Sequence, residues 1–257
     1  MALNLFSDAR TQKSILNART LCAVAVASIS ISTQFSTSVS AQSTSEPTAL
    51  QSIDDGITRI GVILYDGVLT SDVTAPMEVF GAAIASEAVE DFEVVTIAPE
   101  AGTIRTQEGV SLVADYGIND APALDAFVVG SSYDMDTLLD NDAFMAFIKQ
   151  RGEIADWVAS NCSGSYVLAN AGLLDGLKAT TYPGGELWLK INRPSVKVQL
   201  GATVVIDGNA ITSNGSLVSY PAAFELLEKL GGKEAATEVS ELIYYDRLLS
   251  LSADITQ

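Results

Sequence analysis

The stretch Asp156–Gly176, DWVASNCSGSYVLANAGLLDG, changes its hydrophobic period halfway along. Trp157-Val158-Ala159 is a short apolar run that stops at Ser160-Asn161-Cys162, and two small residues follow, Ser163 and Gly164. From there Tyr166, Val167, Leu168, Ala171, Leu173 and Leu174 recur at helical spacing. The pattern predicts a buried strand, a sharp turn and a helix, with a thiol at the turn. So abrupt a strand-to-helix turn needs a small residue after the thiol, because a larger side chain would collide with the incoming strand. It also aims the first free N–H groups of the helix, and the positive end of its dipole, at Cys162. That setting predicts a lowered thiol pKa and a reactive thiolate.

The arrangement resembles the nucleophile elbow of hydrolases, with cysteine in place of serine. The alternative is a buried structural thiol, since free cysteine is among the residue types most often buried. The flanking chain bears on the choice. Ile60–Tyr65 is a continuous apolar run of the kind a strand buried on both faces shows. After the turn signal Asp66-Gly67 a helix is expected, with Thr74 as cap, Pro76 in its first turn and Met77, Val79, Phe80, Ala83 and Ile84 on its apolar face. Phe92–Ala98 and Leu124–Val129 are further strands, and Ile104–Ile118 is a hairpin or pair of edge strands around Glu108-Gly109. A helix is expected over Asn141–Arg151, a short strand at Ala179–Thr181, and a helix start at Glu186–Ile191. Strands follow at Lys197-Val198 and over Ala202–Ser213, the latter folded at Asp207-Gly208-Asn209. Two amphipathic helices, Tyr220–Leu230 and Lys233–Leu251, are separated by Gly231-Gly232. Strands alternating with helices imply an α/β fold, a mostly parallel central sheet with helices on both faces. Sites in such sheets lie at the carboxyl ends of the strands, where Asp72, Gly130 and Cys162 all fall.

The first residues have a different character. Arg10, Lys13 and Arg19 precede an apolar run, Leu21–Ile31, which leads to Ser38-Val39-Ser40-Ala41. That order predicts a signal peptide over residues 1–41 and export, periplasmic or secreted. The run is too short for a membrane helix, which needs about 20 apolar residues. Polar residues 42–57 read as a flexible lead-in, residues 58–251 as one domain and 252–257 as a tail. Cleavage after Ala41 removes three Lys/Arg and one Asp, so the charge becomes (14 − 3) − (32 − 1) = −20. It also removes Cys22 and leaves Cys162 as a lone thiol, unable to form an internal disulfide. Such acidity argues against nucleic acid and anionic membranes as partners.

Three blocks carry a family resemblance. Asp72-Val73-Thr74-Ala75-Pro76-Met77-Glu78-Val79-Phe80 is similar to the D-x-x-G-P-x-E-V-F opening of the ThiJ/PfpI superfamily. Ser160-Asn161-Cys162-Ser163-Gly164, then Leu168–Gly176 and Ala179-Thr180-Thr181, resembles its S-x-C-[TS]-G…L-A-x-A-G-L-L-D-G-x-x-A-T-T block. Gly201–Gly215 follows its later segment. The resemblance, running from about Ile60 to Leu249, points to the isonitrile hydratase branch of these class I glutamine amidotransferase-like proteins. It implies a flavodoxin-like sandwich with a cysteine nucleophile elbow, a homodimer, a small-molecule substrate and no cofactor or metal. By position, Cys162 is the implied nucleophile and Asp72 the acid that hydrogen-bonds it and shuttles the proton. Ser163 supplies an N–H for developing charge, and Gly130 and Ser131 line the other side of the pocket with backbone.

The departures narrow the chemistry. The chain has no histidine, and Tyr182 stands where the family's histidine follows Ala-Thr-Thr, which excludes a Cys-His dyad and a Ser-His-Asp triad. Ala75 replaces a family glycine, and Ser131-Ser132 replaces Gly-Gly-type sequence. A carboxyl beside a thiolate and partly buried is expected to have a raised pKa, so that one proton is shared between Asp72 and Cys162. The bland reading of Asp72 is an acid satisfying N–H groups at its own helix start. Tyr133, Tyr182, Trp188 and Asn214 are pocket candidates, although a tryptophan is more often core and an asparagine a turn. The Asp134/Asp136/Asp140/Asn141/Asp142 cluster lacks the glycine and closing glutamate of a calcium loop and reads as a solvated loop with a helix cap. Two functions compete: an isonitrile hydratase-like enzyme, and a non-catalytic small-molecule-binding or redox-responsive protein that kept the fold.

Overall fold

A computed structural model describes residues 55–254. The predicted signal peptide and most of the lead-in lie outside the described residues. Strand β1 (Thr58–Ile63) leads through a turn to α1 (Thr70–Ala85), and β2 (Phe92–Ala98) follows. An antiparallel hairpin, β3 (Gly102–Arg105) and β4 (Ser111–Ala114), stands apart from the main sheet, and β5 (Tyr116–Gly117) returns to it. Next come β6 (Ala126–Val129), the single turn α2 (Asp136–Leu139), α3 (Asp142–Gly152), β7 (Trp157–Asn161) and α4 (Gly164–Asn170). Strands β8 (Lys178–Ala179) and β9 (Lys197–Val198) pair around α5 (Glu186–Asn192). The hairpin β10 (Val204–Asp207) and β11 (Ala210–Ser213) precedes a 3-10 turn at Ser216–Val218, then α6 (Ser219–Leu242) and α7 (Tyr245–Asp254).

The main sheet has seven strands in the order β10-β11-β7-β6-β1-β2-β5, all parallel except the β10–β11 pair. Four-residue β6, near its centre, is buried throughout, as a strand covered on both faces must be. Ala126 and Val128 face one layer with Phe80 of α1 and Leu226 of α6, while Phe127 and Val129 face the other with Phe144 of α3 and Leu168 of α4. Register places Ile63 beside Val129, Val129 beside Ser160, and Ser160 beside Thr212. The carboxyl ends of β1, β6, β7 and β11 therefore finish together. Among the described residues no helix is long and apolar enough to cross a membrane.

Two expectations about helix ends change. Helix α1 begins at Thr70, so Thr74 is not its cap and donates its hydroxyl to Thr70 O at 2.9 Å instead; Pro76 lies inside the helix. The helix expected over Lys233–Leu251 is two pieces. Gly232, at φ 89°, kinks α6 at the predicted Gly-Gly break, and a second break at Tyr244, φ 61°, separates off α7, which runs past residue 251 to Asp254. Asn141 does cap α3, accepting from Phe144 N at 3.0 Å.

Candidate active site

Cys162 sits between β7 and α4 at φ 54°, in the left-handed region that only a surrounding structure can enforce on a non-glycine residue, at a cost of order 1–3 kcal/mol. Its backbone is held from three sides. Its N–H donates to Ser213 O at 2.9 Å, and its carbonyl accepts the hydroxyls of Ser165 at 3.0 Å and Thr181 at 2.8 Å. Two glycines make room. A Cβ on Gly164 would lie 2.3 Å from Val129 O, so the small residue is required by neighbouring β6 rather than by the incoming strand. A Cβ on Gly215, at φ 77°, would lie 2.4 Å from the Cys162 Cβ and 2.9 Å from Asp72 Oδ1. The end of β11 thus wedges bare backbone against both side chains.

Asp72 is fully buried in the first turn of α1, yet its carboxylate does not serve that turn. Oδ1 accepts Ser216 N at 2.6 Å and the Ser219 hydroxyl at 3.0 Å; Oδ2 accepts Ser131 N at 3.1 Å and the Ser131 hydroxyl. Four neutral donors from two distant segments satisfy the group, an arrangement an acceptor-only carboxylate fills without a counter-cation. The bland reading fails on those partners. The direct hydrogen bond to Cys162 is likewise not made among the described residues; the Ser131 hydroxyl is committed to Asp72 Oδ2.

Pro76 has no N–H, so the carbonyl four residues earlier, that of Asp72, loses its helical partner. The side chain of Asn161 replaces it, with Nδ2 donating to Asp72 O at 2.8 Å. Asn161 Oδ1 in turn accepts the Ser213 hydroxyl at 2.6 Å, and that hydroxyl accepts Gly215 N at 3.0 Å. The residue before the thiol thus ties the acid's helix to the strand on either side of the elbow. Sequence reasoning missed Asn161, Gly215, Ser216 and Ser219. The missing N–H of Pro76 was the signal for the first, and glycine at 215 for the second.

Cys162 opens into a cavity of about 340 Å³. Its walls include Leu69, Ser132, Tyr133, Tyr166, Tyr182 and Trp188. Tyr182 and Ser163 line the cavity together with the thiol. Trp188 is 43% exposed and packs against Tyr166 with ring centroids 4.4 Å apart and planes tilted by 35°, so it is wall rather than core. Asn214 is a turn: its Nδ2 donates to Thr181 O at 2.6 Å and Ala202 O at 3.0 Å, away from the lining. Gly130 and Ser131 stand behind the wall, and Ser132 and Tyr133 form it. Gly130 packs on Val68, Val73 and Asp72, and its carbonyl accepts the Tyr65 hydroxyl at 2.8 Å. The Ser131 N–H, expected to face developing charge, is committed to Asp72.

The thiol pKa differs in sign from the sequence expectation. Burial pushes the Cys162 thiol up; the Ser131 hydroxyl pulls it back, the Asp72 charge raises it again, and the N–H and hydroxyl of Ser163 lower it. The helix behind it has only seven residues, which makes a weak dipole, and no Lys or Arg lines the cavity. Burial also raises Tyr166, with hydrogen bonding from Tyr182 adding to the shift. Among the described residues no group of His, Cys, Asp or Glu is placed to hold a metal ion.

A glycine-supported cysteine elbow facing a buried acid, at the carboxyl edge of a doubly covered parallel sheet, defines a class that comparison with known proteins identifies. Residues 58–229 match the DJ-1/PfpI family, and the chain belongs to it. It is 28% identical over 188 residues to isonitrile hydratase of Pseudomonas putida, covering 73% of this chain and 78% of that protein. It is 23% identical over 190 residues to an HTH-type transcriptional regulator of Pseudomonas aeruginosa, covering 74% of this chain but only 51% of the regulator. The fold is that of a ThiJ/PfpI family protein from Pseudomonas syringae, with a TM-score of 0.67 at 22% identity over 80% of this chain and 84% of that one.

Proposed function

We propose that this chain is a cofactor-free cysteine enzyme that hydrates isonitriles to N-substituted formamides. The observation that carries the reading is the Cys162 thiol opening into an aromatic cavity, with the buried acid Asp72 beside it across the bare backbone of Gly215. The sulfur adds to the terminal carbon of R–N≡C, and the thiol proton ends on that carbon, giving the thioimidate R–N=CH–S. Water adds across the C=N bond, the C–S bond breaks, and the proton of the new hydroxyl returns to sulfur. The sum is R–N≡C plus water giving R–NH–CHO, with no oxidation and no group left on the protein. The Ser163 N–H, which pulls the thiol pKa down, supports the reading as a donor to charge that develops beside the sulfur. The walls formed by Tyr133, Tyr166, Tyr182 and Trp188 suit an apolar or aromatic R group. Incubation with benzyl isonitrile should yield N-benzylformamide with wild type and none with Cys162→Ala; no formamide from wild type would end the reading.

The raised thiol and the likeness to a regulator favour a second reading, a small-molecule-binding protein in which Cys162 is a redox-sensitive reporter. It predicts saturable binding of benzyl isonitrile without turnover, or peroxide oxidation of Cys162 that alters binding. The same reading places the protein outside the cytoplasm after loss of residues 1–41, as a homodimer. The exclusion of nucleic acid rests on its charge alone. Mass spectrometry of the mature N-terminus and gel filtration test the first two.

A further inference from the structure

One charged side chain lines the cavity beside Cys162, and it is an acid, Asp136. It opens the single turn α2 and is exposed. The N–H at that turn is served by the neighbouring acid, donating to Asp134 Oδ1 at 3.1 Å. Among the described residues the carboxylate of Asp136 accepts no hydrogen bond and pairs with no Lys or Arg. A second carboxylate, Asp72, lies beside the thiol and is held by neutral donors only. The whole chain carries a formal charge of −18. A cleft walled by apolar rings concentrates a field of one sign, and here that sign is negative.

The rings add to it. Tyr133 and Trp188 are 81% and 43% exposed and stand towards solvent, whereas Tyr166 is buried. Tyr182 is tilted by 58° to Tyr166, with centroids 6.1 Å apart, and Trp188 is tilted by 35° to the same ring. The rings therefore enclose a corner instead of forming one flat stack. The Tyr166 hydroxyl donates to Gly185 O at 3.3 Å, so this side chain offers a ligand mainly its ring. Aromatic faces set around a space with a carboxylate at its edge are what a cation seeks. An anion in the same space would meet two carboxylates and no cation, and an uncharged apolar group would leave Asp136 unanswered.

We propose that the cavity takes a small molecule bearing a positively charged, ammonium-type group, held by the aromatic walls and Asp136 with its reactive end at Cys162. This deepens the hydratase reading by naming what R carries, and it rests on that reading for the isonitrile end only.

The charge preference is tested first without any isonitrile. Trimethylammonioethyl and sulfonatoethyl methanethiosulfonate each convert Cys162 to a mixed disulfide and release methanesulfinate, one reagent cationic and the other anionic. Their rate ratio is divided by the ratio on free mercaptoethanol, which removes intrinsic reactivity. Wild type should favour the cation by about tenfold or more. Asp136→Asn should lower that preference about threefold to fivefold, and Asp136→Lys should lower it further. Trp188→Ala should slow the cationic reagent and leave the anionic one unchanged. Asp156→Asn, at the opposite end of β7 from Cys162, removes the same net charge and should change nothing. A corrected ratio near one, or an equal loss in Asp136→Asn and Asp156→Asn, would overturn the proposal. The second arm compares trimethylammonioethyl isonitrile with its uncharged isostere, tert-butylethyl isonitrile. The cation should have a kcat/KM about tenfold higher, mostly through KM, and Asp136→Asn should erase most of the gain. Charge-selective labelling with no formamide from either isonitrile keeps the cation site and ends the hydratase reading. Equal hydration of the two, with unselective labelling, ends the cation site alone.

Discussion

Removing Asn161 tests whether the elbow and the acid's helix are one mechanical unit. Asn161→Ala leaves the Asp72 carbonyl without the 2.8 Å bond that stands in for the N–H that Pro76 lacks, and strands the Ser213 hydroxyl. Asn161 and Ser213 are essentially buried, so water cannot replace either partner. An orphaned buried polar group costs about 1–3 kcal/mol, so two of them should lower stability by about 2–6 kcal/mol. Pro76→Ala supplies the second arm. Alone it offers the Asp72 carbonyl an N–H that Asn161 already makes redundant, and its effect should be small. In the Asn161→Ala background the restored N–H can take the orphaned carbonyl, and at least about 1 kcal/mol should return. Urea denaturation of wild type, both single variants and the double variant reads the coupling. If the two changes add to within about 0.5 kcal/mol, the carbonyl of Asp72 is not what joins them and the account is wrong.

Gly215→Ala forces a Cβ to 2.4 Å from the Cys162 Cβ at φ 77°; strain and overpacking together should cost about 2–5 kcal/mol and abolish formamide production, and a melting curve unchanged from wild type would contradict this. Trp188→Ala removes the ring that packs against Tyr166, so KM for benzyl isonitrile should rise about five- to tenfold with kcat little changed, and methyl isonitrile should be much less affected. Because burial raises the Cys162 thiol above its ordinary value, the fold favours the neutral form. That contribution is fully present below the ordinary thiol pKa of about 8.5 and is lost as pH rises through the raised one, so Cys162→Ala should lose less stability than wild type as pH rises above about 8.5 in thermal melts.

What could be read from residues alone divides along the range of the interactions involved. The alternation of strands and helices, the hairpin at Asp207-Gly208-Asn209 and the cap at Asn141 are local, and each stands in the structure within a residue or two. The start of α1 is not local. Thr74 before Pro76 has the chemistry of a cap before a first-turn proline, but the helix starts at Thr70 because a side chain 89 residues further along the chain satisfies the carbonyl that the proline orphans. The break at Tyr244 has no such signal: the sequence around it is amphipathic, and no glycine or proline marks it. For the site, Tyr133, Tyr182 and Trp188 were among the pocket candidates, and all three line the cavity that Cys162 opens into. The difference between Ser131 and Ser132 was not legible, since which of two adjacent serines faces a cavity depends on how the loop after β6 meets α1.

The sign of the thiol shift shows what the missing histidine implies. An elbow at a helix start predicts a lowered pKa only if the dipole, or a cation, outweighs burial. Here the helix has seven residues, the cavity lining holds no cation, and the nearest charge is the carboxylate of Asp72. All that favours a thiolate is neutral: the hydroxyls of Ser131 and Ser163 and one N–H. Such donors hold a thiolate best at the moment its proton leaves for a neighbour that then becomes neutral. A site of this kind keeps the nucleophile protonated at rest and exposes it only in step with the acid. It should therefore be slow towards small alkylating agents at neutral pH for a catalytic cysteine, and faster once Asp72→Asn removes the negative charge that raises the thiol. A wild-type Cys162 that reacted as fast as a free low-pKa thiolate would contradict that argument directly.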